Sequence, residues 1–308
     1  MILCAGEALI DMLPRESADG TATLAPTAGG AVFNTAIALG RLEVPTGFAC
    51  ALSDDMFGRQ LRRTLADSNV DTTHCATVAR PCTLAFVELI DGHARYAFYN
   101  AGTALKEMGP QELPSDLSAI SALFLGGISL MDEPCGTALE SLVDALPDSV
   151  PLMFDPNIRP SFIADAQAYR ARFDRITARA DIVKLSDEDL EWLTGTADPS
   201  DGVSQLIDRG VCLVCLTRGA AGVTAYTASG SLSVPAPQAH VVDTVGAGDT
   251  FNAGLLAGLH RAGHLARGAL AAPDETALRD SLSLGVTAAA VVVSRAGANP
   301  PTLAELEG

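Results

Sequence analysis

The sequence predicts an α/β domain built on a mostly parallel sheet, and three observations carry that expectation. Short apolar runs alternate with helix-length segments, as in Ala122-Leu-Phe-Leu-Gly-Gly-Ile128, Cys135 to Leu146 and Pro151-Leu-Met-Phe-Asp155. Polar residues follow the ends of apolar runs, at Glu7 and Asp11 and again at Asp155, where α/β proteins place ligands. Glycine turns feed helices at Gly29-Gly30 and at Gly246-Ala247-Gly248.

In chain order, Met1 to Leu9 reads as a buried strand whose exit carries Glu7 and Asp11. Asp11 is either a turn former or a ligand group. Met12 to Pro26 alternates polar and apolar residues around turn formers, the pattern of a small hairpin outside the main sheet. Gly29 to Gly40 is a loop entering a helix, with Asn34 in its first turn. A second hairpin is expected from Thr83 to Leu89 and Ala94 to Tyr99, turning at Asp91-Gly92. Together the hairpins, within about 12–28 and 82–100, form a lid on a single domain spanning 1–308.

Asp155-Pro-Asn-Ile-Arg159 follows a strand end, and a surface ion pair between Arg159 and Asp155 is its simplest reading. Ala180 to Leu193 ends a strand and starts a helix, with Ser186 at the cap and Asp189 three positions on. Val211 to Leu216 is a buried strand, and Arg218-Gly-Ala-Ala-Gly222 is its glycine turn. Gly285 to Val293 is an apolar helix expected beside the helix after Gly248, and Ser294 to Pro300 turns back toward it.

The chain of 308 residues is 48% hydrophobic, enough for a large core, and its formal net charge is −17. That charge argues against nucleic-acid or anionic-membrane surfaces, which need basic patches. Seven cysteines without regular spacing suit a reducing compartment. Cys212 and Cys215 have the C-x-x-C form but lie in an apolar strand, so core packing is expected of them. No basic stretch precedes an apolar one at the N-terminus, and no uncharged apolar run reaches about 18 residues; the expected location is cytoplasmic.

The stretch carrying the most chemistry is Asp243-Thr-Val-Gly-Ala-Gly-Asp249, continued by Thr250-Phe-Asn-Ala-Gly. Gly246, Ala247 and Gly248 let consecutive amides converge on one point, and the helix start adds its positive dipole end. An anion belongs there. Asp249 in the same turn is either a helix cap or a general base beside the amides. The twelve residues Asp243 to Gly254 resemble the C-terminal signature of the ribokinase-like (PfkB-type) sugar kinases, and the likeness extends over essentially the whole chain.

The resemblance implies a three-layer ribokinase-like fold with a β lid, often a dimer contact, and phosphoryl transfer from Mg-ATP to a sugar hydroxyl. It makes Asp249 the catalytic base and Gly246, Ala247 and Gly248 the anion hole. It places Asp11, Gly29, Gly30, Asn34, Phe98 and Asn100 on the sugar, and Arg159 toward substrate or transferring phosphate. Lys184, Thr217, Gly219, Gly222 and Asn299 are assigned to ATP. Asp189, in place of a family glutamate, is assigned to water around Mg²⁺. Carbonyls of Asp243, Val245, Val292, Arg295 and Gly297 would hold a potassium ion. Asp155-Pro-Asn-Ile-Arg-Pro160 and Tyr96-Ala-Phe-Tyr99 look most like bacterial fructokinases. Kinases of 2-keto-3-deoxygluconate usually have arginine where this chain has Asn100. Fructose is therefore the expected substrate, ahead of 2-keto-3-deoxygluconate and ribose, with a catalytically silent sugar or nucleotide sensor as the reading from another class.

Overall fold

The computed structural model describes residues 1–90, 93–196 and 198–308. Among these, nine strands form one sheet in the order Gly230–Val234, Val223–Thr227, Leu213–Thr217, Ile182–Ser186, Leu152–Asp155, Ala122–Gly126, Ile2–Ala5, Thr46–Ala49 and Val70–Asp71. The strands from Leu213–Thr217 to Val70–Asp71 run parallel, and the first two return antiparallel at one edge. Ile2–Ala5, Ala122–Gly126 and Leu152–Asp155 are buried at every position. That is why they read as continuous apolar runs rather than alternating ones.

From Ile2–Ala5 the chain builds the sheet outward in one direction, and from Ala122–Gly126 it builds in the other. The crevice beyond the carboxyl ends of these neighbouring strands is where a doubly wound sheet binds ligands. Glu7 leaves one strand into this crevice, and Gly127 and Ser129 leave the other.

A second sheet has the order Ala22–Gly29, Leu9–Glu16, Leu84–Ile90, His93–Tyr99. It contains both expected hairpins, the first of them longer at each end than 12–26. The Asp91-Gly92 turn lies outside the described residues. Register aligns Thr27, Asp11, Ala85 and Phe98 across the four strands. Directly opposed residues share a face, so Asp11 and Phe98 point to the same side.

The helix expected from Gly285 begins earlier, spanning Glu275–Val293 with Asp274 as its N-cap. Its first three turns carry Arg279, Asp280, Ser281 and Ser283, which hid the helix from an apolar scan. Length and composition would let this helix cross a membrane. Here it lies along the helix Ala247–Arg261, and the two backbones nearly touch. A Cβ on Gly254 would stand 2.6 Å from the Gly285 Cα.

Candidate active site

Gly246 adopts a left-handed conformation (φ 80°) and caps the helix Ala247–Arg261. The first helical bond runs from the Thr250 N–H to the Gly246 carbonyl at 2.8 Å. Among the described residues, the Gly248 and Asp249 amides have no acceptor, and the Ala247 amide reaches the Thr244 carbonyl at 3.3 Å. These amides and the helix dipole form a geometry suited to an anion. Asp243 steadies the turn: its carboxylate accepts from the Val245 amide at 3.0 Å and from the Gly297 amide at 2.9 Å.

Asp249 is the third residue of this helix, not its cap. The carboxylate is 8% exposed and accepts from the Asn34 side-chain amide at 2.9 Å. Burial pushes its pKa up to about 7. The Asn34 bond and Lys184 pull the other way, while Asp155 and Glu7 add to the rise. A carboxyl poised there loses and regains a proton near neutral pH, as a general base requires.

Asn34 stands in the helix Ala31–Arg41, whose N-cap Gly30 has φ 114° and no side chain to offer. Glu7 supplies the missing cap: its Oε1 accepts from the Ala31 amide at 3.0 Å. Its Oε2 accepts from the Ser129 hydroxyl at 2.9 Å and the Ser129 amide at 3.3 Å. Burial raises the Glu7 pKa against these bonds. One buried carboxylate thus ties the Asn34 helix to the other side of the crevice.

A third group lies beneath the anion site. The Lys184 ammonium sits 3.1 Å from Asp155 Oδ2, and the Asn252 amide donates to the same oxygen at 2.7 Å. Asp155 Oδ1 accepts from the Asn157 amide at 3.1 Å. A Cβ on Gly248 would lie 3.1 Å from the Lys184 Nζ, so the ammonium borders the free amides. Burial opposes the Lys184 charge, but Asp155, Asp189 and Asp249 outweigh it and its pKa is raised. Among the described residues, Asn252 Oδ1 is buried without a partner.

Residues 1–305 match the family model described as pfkB family carbohydrate kinase. The chain belongs to the PfkB family of carbohydrate kinases. As a PfkB kinase it is an ATP-dependent sugar phosphotransferase. A fructokinase of Rhizobium leguminosarum bv. trifolii is 49% identical over 280 residues, 91% of this chain and 86% of its own. The structure of Xylella fastidiosa fructokinase with bound ATP superposes with a TM-score of 0.91 at 29% identity, covering 99% of this chain and 96% of that one. A Vibrio cholerae fructokinase variant, solved with fructose, ADP and a potassium ion, gives 0.85 at 25% identity, covering 99% and 96%.

Among the other residues singled out in this PfkB kinase, Asp11 is half-buried beside Gly29, where a Cβ would fall 2.2 Å from its Oδ2. Burial lifts the Asp11 pKa to about 6. Phe98 stacks edge-on against Phe162 at 4.5 Å between centroids. Thr217 donates to the Leu185 carbonyl at 3.3 Å, and Gly219 and Gly222 close a tight turn with φ of 48° and 89°. Asn299 accepts from Arg41 at 2.7 Å, which turns its side-chain oxygen toward the protein.

Two residues sit differently from expectation. Arg159 is exposed and donates to the Ile158 carbonyl at 3.0 Å, so it pairs with neither Asp155 nor the buried site in this state. Lys184 has taken its place on Asp155. Asp189 forms the expected capping box with Ser186, and its Oδ1 accepts from the Ile158 amide at 2.7 Å. With both oxygens engaged and 3% exposure, it anchors the 156–159 loop through Ile158. Strand-end position marks Glu7 and Asp155 in the sequence without giving either a role, and nothing in the sequence singles out Asn252.

Proposed function

We propose that the protein transfers the γ-phosphoryl group of Mg-ATP to the 6-hydroxyl of D-fructose. The observation that carries this reading is the buried Asp249 carboxylate, ionising near neutral pH beside two acceptor-free amides. Asp249 takes the hydroxyl proton as the sugar oxygen bonds to phosphorus. The bond to the β–γ bridging oxygen breaks and ADP leaves. Asn34 orients the carboxylate, while the Gly248 and Asp249 amides and the Lys184 ammonium receive charge on the phosphoryl oxygens. Asp11 and Phe98 meet the sugar from one face of the four-stranded sheet, which acts as the lid. The glycine turn at Thr217, Gly219 and Gly222 serves the nucleotide. The fructokinase relative supports fructose as the acceptor.

Mg²⁺ supplies charge neutralisation on the phosphates. Asn252 Oδ1 is a buried oxygen acceptor at the site and would suit a water of such a hard cation. Carbonyls of Asp243, Val245, Val292, Arg295 and Gly297 suit potassium, since the Asp243 carboxylate already holds these two loops together. We further propose homodimerisation through the outer face of the lid, where Leu24 and Tyr99 are 44% and 64% exposed. A monomer in sedimentation at working concentration would refute it. The seven free thiols fit a cytoplasmic setting.

The test is ADP release with Mg-ATP over fructose, 2-keto-3-deoxygluconate, ribose, glucose and adenosine, with and without potassium. Fructose-selective turnover is expected. Preference for another acceptor overturns the substrate assignment while keeping the mechanism.

A further inference from the structure

A cavity of about 290 Å³ adjoins the lid, lined by Phe98, Asn100, Lys106, Ser129, Asp132 and Phe162 among others. It lies on the Asp11 side, because Phe98, Ala85 and Asp11 are cross-strand neighbours sharing a face. Ser129 connects it to the Asn34 helix through Glu7. Among the described residues only two charged side chains line it, and they are spent on each other: Lys106 Nζ lies 3.2 Å from Asp132 Oδ1. Asp132 Oδ2 also accepts from the Asn100 amide at 2.7 Å. The loop carrying Asp132 is held from behind, where Arg172 donates to the Leu130 carbonyl at 2.8 Å and pairs with Glu140 and Glu133.

We infer that Asp132 determines acceptor specificity by occupying Lys106 and Asn100, the donors that a sugar carboxylate would need, and so excludes acidic sugars from a pocket open to neutral ones. This rests on the proposed fructose activity. A six-carbon sugar acid phosphorylated at its terminal hydroxyl carries its carboxylate at the opposite end, away from Asp249. There it meets an ion pair with no cation or amide donor left free, so the cost of desolvating the incoming carboxylate is not offset. A neutral sugar needs no cation, and its hydroxyls donate to Asp132. Side-chain exposures of 30% for Lys106 and 34% for Asp132 leave the pair within reach of a ligand.

The experiment compares kcat/KM for D-fructose and 2-keto-3-deoxygluconate in wild type, Asp132→Asn and Asp132→Asn/Lys106→Met. The asparagine is isosteric and keeps an acceptor for Asn100, and thermal melting checks its fold. Asp132→Asn is expected to raise the keto-acid to fructose ratio roughly tenfold or more, and the added Lys106→Met to cancel the gain. A ratio unchanged within about twofold in the single variant, or an equal rise in the double variant, overturns the inference. The wild-type fructose rate separately reads the activity on which it rests.

Discussion

The Asn34 side-chain amide donates to Asp249 Oδ2 at 2.9 Å, joining residues 215 apart in the chain. Each stands in the early part of a helix entered through a positive-φ glycine, Gly30 in one case and Gly246 in the other. The pair therefore aligns two glycine turns on one point. It also sets the proton affinity of the carboxylate, because a donor to the charged form lowers its pKa.

Replacing Asn34 by leucine removes that donor and leaves Lys184 alone to oppose burial, so the Asp249 pKa moves above about 7. The ionised base is then reached only at higher pH. A charge-assisted hydrogen bond contributes roughly 1.5–3 kcal/mol, which corresponds to a shift of about one pH unit or more. The acid limb of the kcat/KM profile is expected to move upward by that amount. An unmoved limb would show that Asn34 contacts sugar without tuning the base.

Asp249→Asn keeps the shape and the Asn34 neighbourhood but cannot take a proton. Turnover is expected to fall by about 10²–10⁴-fold, the usual contribution of a general base. ATP binding, measured by calorimetry, should persist. Stability should move the other way. The folded-state pKa of Asp249 is raised from 3.8 to about 7, so the wild type loses stability progressively as pH rises from the unfolded value to the folded one. The asparagine variant escapes that loss, and its melting temperature should exceed the wild-type value by more at pH 8 than at pH 5. Near-normal turnover would sink the assignment of the base.

Lys184→Met strands Asp155 in the core with only hydrogen bonds from Asn252 and the Asn157 amide. Breaking one side of a buried pair costs about 3–5 kcal/mol. Lys184→Met/Asp155→Leu removes both charges and should recover most of that loss in chemical denaturation. It should not recover turnover, because the ammonium beside Gly248 is gone. Recovery of both would make Lys184 a purely structural residue.

The glycine turn at 246–248 was legible because its geometry is local: three neighbouring residues and a helix start define it. The parallel sheet was legible for a similar reason, since strands buried on both faces leave unbroken apolar runs. Asp155 and Asn252 were not, being 97 residues apart and meaningful only as a pair around Lys184. Glu7 shows the same difficulty. A glutamate after a strand gives no hint that it caps a helix at Ala31 and binds Ser129, 122 residues away. Asp189 read correctly as a capping-box member, yet its second bond to the Ile158 amide depends on packing that no spacing rule contains.

Gly254 tests whether the anion site depends on the packing of its own helix. A Cβ there would stand 2.6 Å from the Gly285 Cα and 2.8 Å from the Gly285 nitrogen, backbone atoms that cannot rotate away. Gly254→Val must push Ala247–Arg261 off Glu275–Val293, at a cost of roughly 1–3 kcal/mol for an overpacked contact. The displaced helix carries the Gly248 and Asp249 amides at its start, so KM for ATP should rise while kcat falls. Gly268 provides the contrast, because a Cβ there meets nothing within 4 Å and the residue lies in the short helix Arg267–Ala271. Gly268→Ala should leave both kinetic constants unchanged and leave the melting temperature equal or slightly raised, as expected when alanine replaces glycine in a helix. Equal tolerance at both positions would mean that the two long helices can slide without disturbing the site.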